Sequence, residues 1–253
     1  MSAQAGTCGT GSTEVWLPSA GWNGRFQGVG GRALAGIIVY PAMASALADG
    51  YATASTDTGH VGPGGSFTAA GSAKFQERRA TLSKDDPEGY CMPPGVPRYT
   101  GTPYPFQIVQ LKDRVLIIHE SMHGYRIILL KDPNDPKKHP PLESLNPTWL
   151  GHSVGWYEDD GKTLVVDTVG FNGHTWLDYV GHPISEDLHV VERFTRPNYG
   201  TLHYQATIED KQMYTKPWTS SFTIPWKEGL ELFEYICNEN NKDLLHLNTK
   251  EWK

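Results

Sequence analysis

No stretch of 18 consecutive apolar residues occurs in the 253-residue chain, which excludes a helix long enough to cross a bilayer. No basic run occurs either, and 22 Lys and Arg stand against 28 Asp and Glu for a formal charge of −6. Nucleic acid and an anionic membrane are therefore not expected as partners. Cysteine is scarce. Cys8, Cys91 and Cys237 are an odd set with no C-x-x-C spacing, which excludes a disulfide framework and a zinc ribbon. One bridge stays possible, with its pair undecided, and three free thiols are the alternative. The first residues, MSAQAGTCGTGSTE, have no basic n-region and no apolar h-region, so no signal peptide is read there. Their small, polar texture suits the start of an exported chain, periplasmic or extracellular, whose signal is absent. A cytoplasmic chain can begin the same way.

What is present favours a packed protein. The chain is 38% hydrophobic and 11% aromatic, enough for a proper core. Its length allows one large domain, or a medium domain with an appendage. Three zones divide it: an N-terminal segment over 1–75, a Pro/Gly-rich linker over 76–105, and a β-rich domain over 106–253. In the first, strand-like runs at 14–17, 25–29 and 37–40 precede a short helix over 42–48 that ends at Gly50. A further strand over 51–56 completes an α/β rhythm. A second helix is expected over 72–82, ahead of the proline punctuation of DDPEGYCMPPGVPRYTGTPYP.

The third zone reads as antiparallel β. Hairpins are expected about Lys112-Asp113, Asp160-Gly161, 197–200 and 227–229, where turn residues separate runs rich in Val, Ile, Thr and aromatics. The expected fold is mainly β: an antiparallel barrel or strongly curved sheet, lipocalin-like, with a small N-terminal α/β-type appendage.

Four patterns carry possible chemistry. Gly151-His152-Ser153-Val154-Gly155 is a literal G-x-S-x-G, the spacing of a nucleophile elbow, although a hairpin and not a helix is expected after it. If Ser153 acts, the order Ser…Asp…His pairs Asp167 or Asp178 with His182 or His189. His174, His182 and His189 lie within sixteen residues of one another. Their spacing fits no strong metal motif, so no cofactor is expected, with a metal on these three as the lesser alternative. Glu192 and Glu234 sit in strand-like runs, where a carboxyl facing a closed cavity has a raised pKa and serves as general acid or base. Trp156, Trp176, Trp218 and Tyr204 belong to an aromatic load suited to clasping a small ring.

The stretch from residue 14 to residue 67, EVWLPSAGWNGRFQGVGGRALAGIIVYPAMASALADGYATASTDTGHVGPGGSF, resembles the N-terminal part of the tannase and feruloyl esterase family. In that family a strand ending in a glycine-rich loop lies near the oxyanion site of an α/β-hydrolase. The resemblance implies that role for the backbone of Gly30 and Gly31. The family's Cys-Ser nucleophile pair and His-Cys pair are absent, and no residue here inherits those roles. The third zone also resembles an uncharacterised bacterial β-rich group, through strings such as GHSVG, VVDTVGFN and EYICNENN. That likeness implies a domain and no activity.

Two readings from different classes follow. A hydrolase of carboxylic esters, of phenolic compounds in its finer form, leads because the esterase-like segment and G-x-S-x-G agree in reaction class. A non-catalytic β-barrel binding a small apolar or aromatic ligand is the alternative. A lyase or isomerase using interior His and Glu stands behind both. In each case the partner is a small molecule, and oligomeric state is left open.

Overall fold

A computed structural model describes residues 2–8, 11–28, 40–56, 66–81, 84–135, 138–239, 241–242 and 247. The chain divides into two compact units, 1–65 with 220–222, and 66–219 with 223–253.

The first unit contains β1 (Ser2–Cys8), β2 (Gly11–Leu17), β3 (Phe26–Gly28), α1 (Tyr40–Ala48) and β4 (Ala52–Thr56). Its sheet has the order β1-β2-β4-β3, antiparallel except for the parallel pair β3–β4. A parallel pair needs a crossover between its strands, and α1 lies in that connection. The helix stops as its sequence predicts. Tyr51 N–H donates to Ala46 O at 2.9 Å and Gly50 N–H to Leu47 O at 3.0 Å, the two bonds of a Schellman ending, with Gly50 at φ +80°. The strand expected over 37–40 falls outside the described residues except at Tyr40, which opens α1 instead.

The second unit begins with α2 (Ala69–Ala80), starting three residues earlier than its sequence suggests. Thr68 explains the start, because its Oγ1 accepts from Gly71 N at 3.0 Å and caps the helix. Gly71 is required by close approach: a Cβ there would lie 2.0 Å from Met213 O. The proline-rich stretch that follows holds two short 3₁₀ turns, Pro87–Tyr90 and Arg98–Gly101. It is pinned by the buried Arg98, which donates to Asp86 at 2.8 and 2.7 Å and to Glu88.

Eight strands form the larger sheet: β5 (Phe106–Gln110), β6 (Arg114–His119), β7 (Tyr125–Leu130), β8 (His152–Glu158), β9 (Thr163–Val169), β10 (His189–Asn198), β11 (Thr201–Glu209) and β12 (Trp218–Pro225). They lie side by side in sequence order. The protein is mainly β, built on a strongly curved sheet. Among the described residues no pairing joins β5 to β12, so the sheet curls without closing into a barrel. One pairing departs from the antiparallel expectation. β7 and β8 run parallel, with Ile128 opposite Ser153, and the 21 residues between them, 131–151, are the long connection that a parallel pair needs in place of a hairpin turn.

Burial alternates along β6, β7, β10 and β11, as one covered face requires. Val115, Ile117, Ile128, Val166, Val190, Phe194, Ala206 and Ile208 form the apolar part of that inner face. Expected hairpins appear at 111–113, 159–162 and 198–201. The hairpin expected about 227–229 does not: β12 ends at Pro225, and residues 226–239 form no strand. Pro225 cannot donate to a ladder, and the segment beyond it is tied instead by a Cys91–Cys237 disulfide with Cα atoms 5.6 Å apart.

Candidate functional site

Strand register assembles a polar cluster inside this apolar face. Ile117 faces Arg126 across β6 and β7, so His119, two residues on, shares the Arg126 side. Ser153 is opposite Thr168, Thr168 opposite Val190, and Phe194 opposite Tyr204, which places Ser153, Thr168, Glu192 and Tyr204 on the same side. Arg126 grips Glu192 through Nη1 to Oε1 at 3.1 Å and Nη2 to Oε2 at 2.6 Å. Tyr204 Oη donates to Glu192 Oε1 at 2.9 Å. The same Nη2 reaches Ser153 Oγ at 3.1 Å and Thr168 Oγ1 at 3.3 Å, and those hydroxyls lie 3.0 Å apart. Glu192 is fully buried and Arg126 nearly so.

His119 extends the cluster. Its ring centroid lies 4.2 Å from that of Tyr99 and 5.6 Å from that of Phe106. Burial first, and the Arg126 charge second, push its pKa down to about 3, so the imidazole is neutral at physiological pH and keeps one donor and one acceptor nitrogen. Among the described residues neither nitrogen has a hydrogen-bond partner, and Ser121 Oγ and Arg126 Nε are also buried without one. Burial holds the Tyr204 phenol well above its ordinary range, with Glu192 adding to the effect. The arrangement offers neutral hydrogen-bonding groups beside aromatic faces, around a cation already cancelled by its carboxylate.

The residues singled out for acid-base chemistry fall into three places. Ser153 sits inside β8, in extended backbone followed by more strand. The elbow geometry of a strand entering a helix is not formed. Its two glycines serve packing: Gly151 has φ +68°, and a Cβ on Gly155 would lie 2.7 Å from Ile128 Cγ2. Among the described residues the hydrogen-bond partners of Ser153 Oγ are Arg126 and Thr168, and no imidazole is among them. The aspartate–histidine pairs do form, apart from it. Asp178 Oδ2 lies 2.7 Å from His182 Nδ1, while its Oδ1 accepts from the backbone N–H groups of Val180, Gly181 and His182. The His182 ring packs on Phe67 and Phe75 at centroid distances of 5.6 and 5.1 Å. Asp167 Oδ1 lies 2.7 Å from His189 Nε2, on the strand face opposite Thr168. Lys138 and His139 approach the same carboxylate at 3.0 and 3.3 Å. Although burial opposes it, the side chains of His139, His189 and Lys138 beside it hold the Asp167 pKa well below the carboxylate range. The bond to Asp167 raises that of His189.

The remaining candidates scatter. Tyr204 belongs to the inner cluster. Trp156 lies on the other face, where it donates to Glu158 at 2.8 Å and lies under Lys138 at 4.7 Å. Trp176 is buried with the Arg78 guanidinium 5.2 Å from its ring, and Trp218 packs edge-on against Tyr214. Glu234 is exposed in the irregular tail, because the strand that was to carry it does not form. His174 stacks near Trp149 at 5.8 Å. Among the described residues no group of three His, Cys, Asp or Glu stands close enough to hold a metal. Gly30 and Gly31 lie outside the described residues. Sequence reasoning missed His119 and Arg126. The signal was there in YRIILL, where a lone arginine at a core-facing strand position demands a buried partner.

Residues 11–81 match the family model for tannase and feruloyl esterase. An uncharacterised esterase of Xanthomonas campestris pv. campestris is 55% identical over 47 residues, 19% of this chain and 8% of that protein. The chain therefore spans a small fraction of that relative's length. No solved structure matches. The likeness to esterases is carried by the N-terminal segment alone, and the polar cluster on the curved sheet lies beyond it.

Proposed function

We propose that residues 66–253 hold a small uncharged molecule against the inner face of the curved sheet, at His119, Ser121 and Arg126, without covalent chemistry. One observation carries this reading: His119 Nδ1 and Nε2, Ser121 Oγ and Arg126 Nε are buried with no hydrogen-bond partner among the described residues. Each such atom costs about 1–3 kcal/mol when left unmet, and four of them in one neighbourhood call for an occupant that meets them. The Arg126–Glu192 pair cancels its own charge and His119 is neutral, so an uncharged guest with a donor and an acceptor fits better than an ion. The Tyr99 and Phe106 rings favour a flat apolar body on that guest. The Cys91–Cys237 disulfide supports export to an oxidising compartment. Nothing in the charge distribution favours nucleic acid or membrane as partner.

Calorimetric titration of the intact protein with phenol as probe, beside His119→Phe, tests this. Saturable binding to the parent that is lost in the variant, with unchanged circular dichroism, is the expected result. Equal binding to both proteins removes His119 from the site.

A second reading, hydrolysis of carboxylic esters, is favoured by the match of residues 11–81 to esterases. Hydrolysis of p-nitrophenyl acetate and methyl ferulate by the intact chain, beside Ser153→Ala, separates the two. Turnover that vanishes in the variant restores Ser153 as a nucleophile and overturns the first reading. Turnover equal in both proteins moves the search to other residues.

A further inference from the structure

The outer face of the same sheet presents an unusual surface. Tyr125, Ile127 and Leu129 are 64%, 45% and 40% exposed and follow one another at every second position of β7. Ile118 stands opposite Tyr125 and Leu116 opposite Ile127. Val109 of β5 stands opposite Leu116 in turn. These six side chains form one contiguous block across three strands, and among the described residues no charged group interrupts it. Arg114 lies at its end, opposite Leu129, and is paired with Asp113 at 2.7 Å.

We propose that this block is a homodimer interface, with the outer face of β5–β7 packed against the same face of a second copy. Charge decides the class of occupant, because an uncharged face, apolar but for the Tyr125 hydroxyl and the exposed Gln107 amide opposite Ile118, is complementary to another of its kind. A two-fold axis through the block gives each protomer that partner without a second specialised surface. Area supports the same choice. A block of six such residues exposes on the order of 400 Å², and two blocks with their rims bury roughly 1,000 Å² in total, the lower limit for a specific pair. The β-branched and aromatic side chains are also those that interdigitate when sheets stack about 10 Å apart.

Sedimentation velocity of the intact chain from about 1 to 100 µM, beside Ile127→Lys and Tyr125→Lys, tests the proposal. The parent is expected to shift with concentration towards about 56 kDa, twice the 28.1 kDa of one chain. Each variant is expected to stay at one chain's mass at the same concentrations, with circular dichroism unchanged, because a lysine on this face is tolerated in water and not against a second apolar sheet. A parent that remains monomeric at 100 µM overturns the proposal. So does a dimer that survives in a folded variant, since the contact then lies elsewhere. Two positions are used so that misfolding of one leaves the other to decide.

Discussion

Replacing Glu192 by Gln keeps the shape of the side chain and removes its charge. In the folded protein that carboxylate accepts two bonds from Arg126 and one from Tyr204, and the side chains of the ion pair are 2% and 0% exposed. The variant leaves a guanidinium buried with no counter-charge, and water cannot reach it without opening the sheet. Breaking a buried pair in this way costs about 3–5 kcal/mol. For a chain of this length each kcal/mol moves the melting temperature by about 2–4 °C, so a fall of roughly 6–20 °C is expected. Removing both partners as Arg126→Met with Glu192→Leu should cost less than Glu192→Gln alone. Ser153 and Thr168 still bond each other, so the cost that remains is the bond Tyr204 gives up to Glu192, about 0.5–1.5 kcal/mol. Urea unfolding followed by circular dichroism and by tryptophan fluorescence measures both effects, and coincident transitions license the comparison. A Glu192→Gln protein within about 1 kcal/mol of the parent would refute the reasoning, because the pair would then be hydrated or differently partnered.

Four further outcomes are expected. Changing Cys91 and Cys237 to Ser opens a loop of 146 residues and should cost about 2–5 kcal/mol, read as a lowered melting temperature that dithiothreitol reproduces in the parent. Because the folded pKa of His189 is raised by its bond to Asp167, its stabilisation is complete below the unfolded value of about 6.5 and is lost as pH rises through the folded value. His189→Ala should remove that alkaline decline from a stability–pH curve. His119 is shifted the other way, to about 3, so stability should rise with pH from about 3 to 6.5 on its account, and His119→Phe should flatten that part of the curve. Gly155→Ala drives a methyl to 2.7 Å from Ile128 Cγ2 and 2.9 Å from Val165 O, which should cost about 1–3 kcal/mol of stability in urea unfolding.

The strand content was legible because its signals are local. Asn198 and Gly200 mark the β10–β11 turn, Asp160 and Gly161 the β8–β9 turn, and Gly50 the end of α1. Each acts on its own few residues. The parallel β7–β8 pair was not legible, because residues 131–151 carry no repeating pattern that says on which side the next strand returns. Nor was the missing last hairpin, where the alternation of GLELFEYIC resembles a strand while Pro225 and the bond from Cys237 to Cys91 hold the segment away from one. The inner cluster joins residues distant in sequence, Arg126 with Glu192 and His119 with Tyr99, and only register brings them together. Ser153 shows the converse, a string that is legible but does not form the strand-to-helix elbow its spacing names. Its G-x-S-x-G is a local string whose glycines answer to the close approach of β8 to Ile128 and Thr168.

The proposed site has His119 and Arg126 meeting a small uncharged guest. Nitrogen NMR of protein carrying ¹⁵N-labelled histidine, titrated with phenol, tests it most directly, because the imidazole nitrogens report each hydrogen bond they gain. A neutral His119 at pH 7 is expected, with nitrogen signals that move saturably as phenol is added while those of His182 stay in place. His119 signals that remain fixed at saturating phenol, or that show a charged ring at pH 7, contradict it.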